Sequence, residues 1–178
     1  SPIKEMQAWQ ELQSLDIVNK TNKLIKHGEL VAQFPCHPRF AHMILSAQTY
    51  DEQNHGDELL FLACILAALL EEKDILSAEQ SRLNSDLSQR VYKLIAQFNQ
   101  NNGVVSNIVK QVKRLAKSVK LKNVEALALN ALPINTIGLL LAFAYPDRIG
   151  LKRKSGDQRY LLRNGQGATL APSSVVRN

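Results

Sequence analysis

Five cations, Lys110, Lys113, Arg114, Lys117 and Lys120, recur at three- and four-residue spacing opposite the apolar positions Ile108, Val112, Leu115 and Val119. On a helix this spacing sets them along one side, and no acid interrupts the row. Ammonium and guanidinium groups in a row are suited to holding phosphates, an interaction that supplies affinity and salt dependence without choosing among bases. A solvated face is the more common fate of such a stripe. A second basic stretch shifts the balance toward phosphate: Arg148, Lys152, Arg153, Lys154, Arg159 and Arg163 place six positive charges within sixteen residues, with only Asp157 against them. Tyr160 in that stretch is assigned to packing in a β segment before base stacking.

Other residue sets that could do chemistry fall away. Asp51-Glu52-Gln53-Asn54-His55 superficially echoes an acidic box that holds magnesium, but no apolar strand precedes it. The spacing is one residue too long, and the chain has no GxxxxGK[ST] phosphate loop. The expectation is a solvated loop. His37 and His42 are five apart, the wrong spacing for one helix face, and with Cys36 they make no recognised metal set. Ser, His and Asp occur without a GxSxG nucleophile elbow. No catalytic or metal residue is assigned.

Charge is distributed unevenly. Ser1 to Ser88 carries 7 basic and 13 acidic residues, whereas Gln89 to Asn178 carries 15 basic and 3 acidic, a swing from −6 to +12. The skew points to a polyanion-facing half, nucleic acid before membrane, because the basic stretches lack an aromatic-rich apolar face. With 45% apolar and 6% aromatic residues, the chain suits a mainly α globular fold with an ordinary core. Cys36 and Cys64 encode neither a disulfide framework nor a zinc site, so a cytoplasmic setting is the default. The longest apolar run, Leu59 to Leu70, is too short to span a bilayer and reads as a buried core helix.

These residues must be positioned by helices. Ser1-Pro2 opens a first one with Ile3, Met6, Trp9, Leu12 and Leu15 on its apolar side. Leu24 to Phe34 is a second, closed by Pro35, and Pro38 starts a third whose Phe40, Met43, Ile44 and Ala47 face the core. A polar loop is expected between Gln48 and Gly56, after which Asp57 caps the buried helix. Ser77 and Gln80 have capping-box spacing. Leu87, Val91, Leu94, Ile95 and Phe98 define a helix ended by Asn101-Asn102-Gly103, and the basic helix follows. Short helices near Asn123 to Asn130 and Ile134 to Tyr145 bring the number to roughly eight. Pro146 ends the helical part. Tyr160 to Leu162 and Ala168 to Leu170 then read as two strands around Asn164-Gly165-Gln166-Gly167. The chain stops before such a sheet could close, so a piece of a larger protein is expected.

Three strings carry a family resemblance: Leu24 to Gly28 followed by PCHPRFAHMIL (Pro35 to Leu45), LAALLEEKDIL (Leu66 to Leu76), and LLLAFAYPDRIGLKRKSGDQRYLLRNGQGATLAPSS (Leu139 to Ser174). They resemble the helicase-associated region of bacterial DExH ATP-dependent RNA helicases of the HrpB type, over nearly the whole chain. The AYPDRI to RYLLRNGQGA string is the most specific, in order and in spacing. The resemblance implies a degenerate winged-helix part over residues 1–53, a helical ratchet bundle over 54–145, and the start of an incomplete OB-like β domain over 146–178. In that family these follow two RecA-like domains that use ATP and magnesium. Two departures stand out: the glycine of a wing turn is missing around Asn19 to Lys23, and both ATP-binding domains are absent from the 178 residues.

The expected function is therefore an accessory region that roofs a single-strand RNA channel beside the RecA-like domains of the same parent chain, with no cofactor and no enzymatic activity of its own. Its nucleic-acid-binding residues would be Lys110, Lys113, Arg114, Lys117, Lys120, Arg148, Lys152, Arg153, Lys154 and Arg159. The alternative from another class is a helical protein-interaction module that binds no nucleic acid. A winged-helix DNA-binding regulator is a further alternative, in which the recognition helix, Pro38 to Ala47, would carry Arg39 as its only cation.

Overall fold

A helix that is apolar all round can be stable only when surrounded by other elements. Leu59 to Leu69 meets that condition: Phe61 to Ala68 have no exposed surface at all. In this computed structural model the described residues are 1–54, 56–72, 87–100, 103–152, 159–162 and 167–169. The buried helix is α4 (Glu58–Glu71), preceded by α1 (Pro2–Ser14), α2 (Lys26–Val31) and α3 (Pro38–Asn54). After it come α5 (Leu87–Ala96), α6 (Gly103–Ser118), α7 (Val124–Leu127) and α8 (Ile137–Ala144). Helices α3, α5, α6 and α7 all touch α4, and α8 packs on α3. The mainly α fold expected from composition and periodicity is borne out, as is the position of α4 at its centre.

The main core joins Phe40, Met43, Ile44 and Ala47 of α3 to Val91 and Leu94 of α5, Ile108, Val112 and Leu115 of α6, and Leu140 of α8. Phe98 lies just beyond α5 and meets Phe61 edge-on at 5.7 Å between ring centroids. Gly103 does not end α5 as the spacing suggests; α5 stops at Ala96, and Gly103 opens α6. Asn101-Asn102 and the Ser77 to Gln80 start lie outside the described residues.

A smaller core of Leu15, Ile17, Val18, Val31 and Ala41 sits where α1, α2 and α3 meet. Here Gly28 is required by close approach: a Cβ would lie 2.2 Å from the carbonyl oxygen of Ile17. Between α1 and α2 the chain makes a tight hairpin, with Val18 bridged to Leu24. Its turn lacks glycine. Asn19 Oδ1 instead accepts the amides of Thr21 and Lys23 at 2.9 and 3.0 Å, and Asn22 takes the left-handed conformation at φ 59, which asparagine tolerates better than most residues. The stripe of α1 is split along its length: Leu15 is buried, whereas Ile3 and Met6 are 64% and 55% exposed.

One expected loop is helix. Gln48 to Asn54 continues α3, and the polar residues read as loop form its outer face, with Tyr50, Glu52, Gln53 and Asn54 exposed. The acidic string is thus largely helical and Asp51 is not solvated. Asp51 is buried, and its Oδ2 accepts the Leu60 amide at 2.7 Å. It satisfies a free N–H in the first turn of α4, whereas Asp57, at the capping position, makes no side-chain cap bond.

Burial pushes the Asp51 carboxyl up, partly offset by the Leu60 N–H and reinforced by Glu58 and Asp57. A raised carboxyl contributes stability that is present below its unfolded pKa and lost as pH rises through the folded one. Asp51→Asn keeps the acceptor without the charge, so its stability is expected to vary less than the parent's across the carboxylate range. Asp51→Ala loses the cap and should cost about 1 kcal/mol at neutral pH. Urea denaturation at several pH values checks both; an alanine variant as stable as the parent contradicts the capping role.

Past α8, Pro146–Arg148 forms a single 3-10 turn, and an antiparallel sheet follows in the order β1 (Gly150–Lys152), β2 (Arg159–Leu162), β3 (Gly167–Thr169). The β2 and β3 pairing sets Tyr160 opposite Ala168, and Gly167, read from the sequence as part of the turn, opens β3. Strand β1 is additional: Gly150 pairs with Leu162 and Lys152 with Tyr160. Asn164 to Gln166 lies outside the described residues.

Candidate nucleic-acid interface

Helix α6 owes its orientation to its inner face. Ile108, Val112 and Leu115 have no exposed surface, and Val105, Val109 and Ala116 are also buried. The opposite face must then point to solvent, and Lys110, Lys113, Arg114 and Lys117 are all exposed on it. Gln111, between the two faces, donates to the Pro35 carbonyl at 3.1 Å and ties α6 to the segment between α2 and α3. Among the described residues, Lys110, Arg114 and Lys117 form no ion pair.

Lys113 differs from its neighbours. Its Nζ lies 2.7 Å from Glu125 Oε1 and 5.7 Å from the centre of the Phe98 ring. The row has no acid within α6, but α7 brings one to it. Val124 and Leu127 are buried, so α7 is anchored on the core, and Asn123, left-handed at φ 55, turns the chain into it. The hydrogen bond from Lys113 holds the Glu125 carboxyl below the usual carboxylate range.

Lys120 departs from the row. It follows the end of α6 in a left-handed conformation, φ 58, and lines a cleft of roughly 350 Å³ with Asp51, Glu52, Asp57 and Lys122. Arg148 is exposed, 5.0 Å from the centre of the Tyr145 ring and 3.9 Å from Asp147. Lys152 and Arg159 belong to β1 and β2 by backbone position. Arg153, Lys154 and Arg163 lie outside the described residues. The structure therefore gathers four of the ten assigned cations into one row.

Arg39 is the residue whose environment the sequence does not announce. It is 5% exposed, with Nε 2.8 Å from Glu11 of α1 and its two terminal nitrogens 2.6 and 3.3 Å from the Asp147 carboxylate. One of those nitrogens also donates to the Ala144 carbonyl at 3.1 Å, and the guanidinium lies 5.0 Å from the centre of the Tyr145 ring. Burial pushes Asp147 up, but hydrogen bonds from Arg39 and from the backbone, together with the charges of Arg39 and Arg148, leave it below the usual range. A charge so enclosed cannot read a base, so the DNA-regulator reading loses its one recognition-helix cation. Arg39 instead joins α1 and α3 to the turn that leads into β1.

The histidines and cysteines have local explanations. His27 Nε2 and His42 Nδ1 pair at 2.8 Å, and burial lowers both pKa values. The His37 amide donates to Glu71. Burial raises the Cys36 thiol to about 12, with Glu71 adding to the effect, and raises buried Cys64 as well. Among the described residues no three or more His, Cys, Asp or Glu are grouped to hold a metal. No described helix is long and apolar enough to cross a membrane.

The class these features define is a helical module with one basic face and a short β segment joined to it through a buried arginine. No family model matches the chain, and no curated protein does. Solved structures do match. The crystal structure of the E. coli DExH-box NTPase HrpB aligns with 93% of this chain at 28% identity and a TM-score of 0.61. That of the Escherichia coli DEAH/RHA helicase HrpB aligns with 96% at 27% identity and a TM-score of 0.63. The chain spans 17% and 18% of those two chains. The likeness supports a helicase-associated region of the HrpB type, as the three sequence strings indicate.

Proposed function

We propose that this chain is the RNA-facing accessory region of an ATP-dependent RNA helicase, roofing the strand channel beside RecA-like domains of the same parent. On this reading residues 1–53 form the degenerate winged-helix part, 54–145 the ratchet bundle and 146–178 the start of the OB-like domain. ATP and magnesium fall to the RecA-like domains, and no residue here is assigned to them. The observation that supports the reading most is the outer face of α6, where four exposed cations stand opposite a fully packed inner face. Phosphate contacts of this kind carry no base information. That this face limits backsliding of a strand is what the family resemblance implies, not what the charges by themselves dictate.

Replacing Lys113, Arg114 and Lys117 together with Glu is expected to weaken single-stranded RNA binding for every sequence alike. All three side chains are exposed, so circular dichroism should show an unchanged helical fold. A folded triple variant that binds RNA as tightly as the parent makes α6 a solvated face and removes the reading's support. The interaction-module reading keeps one specific observation, the exposed Ile3 and Met6 on α1. It predicts no RNA binding by the parent.

A further inference from the structure

Glu125 is paired with Lys113 on the outer face of α6. Its carboxylate is 2.7 Å from the Lys113 ammonium, a charge-assisted hydrogen bond, while the Phe98 ring lies 5.7 Å away. The carboxylate is not a free-swinging tail group. Buried Val124 and Leu127 flank it on α7 and fix that helix to the core, and both partners of the pair remain about half exposed, at 44% and 56%. A solvent-borne anion can therefore reach the same ammonium and compete for it. Lys110, Arg114 and Lys117 on the same face have no such competitor among the described residues.

We propose that Glu125 acts as a built-in competitor for the nucleic-acid phosphate at Lys113, weakening the grip of the α6 face and lowering the number of counterions released on binding. This rests on the reading of α6 as an RNA-facing surface. A strand entering the face must displace the Glu125 carboxylate before Lys113 contributes a phosphate contact. The face is held at an intermediate affinity, which suits a surface along which a strand must move.

Glu125→Gln in the same 178-residue chain tests this with a short oligouridylate as the probe. Relief of an exposed ion pair should tighten binding about two- to fivefold, and one regained phosphate contact on a single strand should steepen the log affinity against log salt slope by about 0.7. Adding Lys113→Gln to Glu125→Gln should remove both gains. Glu29→Gln is the control for net charge, since Glu29 is exposed on α2, outside α6 and α7, and it should leave the slope unchanged. If the parent binds with a salt-dependent affinity and Glu125→Gln matches it in affinity and slope, the competitor role is overturned and the RNA-facing reading survives. A slope that steepens equally in Glu29→Gln overturns it too, as a generic charge effect. A parent that binds no oligouridylate sinks the RNA-facing reading itself.

Discussion

Leu66→Ala is expected to lower the unfolding free energy by about 2–5 kcal/mol. Leu66 sits in the stretch of α4 that has no exposed surface, with α3, α5, α6 and α7 all touching that helix. Truncation removes buried methyl and methylene groups and leaves a space that four neighbouring helices can close only by shifting together. Close-packed interiors resist that shift. Chemical denaturation should show the loss as a lower midpoint at an unchanged slope. A midpoint equal to the parent's would place α4 at the surface and contradict the architecture.

The second large effect is expected at the Arg39 junction. Asp147→Ala removes the carboxylate that receives two guanidinium nitrogens and leaves a buried charge with Glu11 and the Ala144 carbonyl. Breaking a buried pair from the side that strands the enclosed charge should cost about 3 kcal/mol. Arg39→Met should cost less, because Asp147 and Glu11 are each partly exposed, at 26% and 35%, and can be hydrated when left alone. Asp147 titrates below the usual range, so its contribution is present above the unfolded carboxyl pKa and is lost as pH falls through the folded value. The stability gap between the parent and Asp147→Asn should therefore narrow in acid. Equal costs for Asp147→Ala and Arg39→Met, with no narrowing, would show that the network is incidental to stability.

The parts of the fold governed by periodicity were legible. The inner face of α6 was readable from Ile108, Val112 and Leu115 because amphipathic spacing and burial are the same physical fact on a helix. Residues whose behaviour depends on distant partners were not. Arg39 meets Asp147 across 108 positions, and no local pattern encodes that distance. The signal that could have flagged it is a lone cation among apolar positions at the start of α3. Asp51 was lost for a similar reason. A run of polar residues reads as loop, whereas here it is the outer face of a helix with one carboxylate turned inward to cap the next. Glu125 was hidden because the acid that neutralises part of the row lies on another helix.

The α6 face is proposed to bind RNA through its phosphates, and the salt dependence of single-stranded RNA affinity tests this most directly. If Lys110, Arg114 and Lys117 each make a contact while Glu125 holds Lys113, a slope near 0.7 per contact gives a total of about 2 in log affinity per log salt. Affinity should then fall roughly 20-fold between about 50 and 200 mM salt, to a similar extent for RNAs of different sequence. An affinity that does not change across that range, or no binding at the lower salt, would contradict the account.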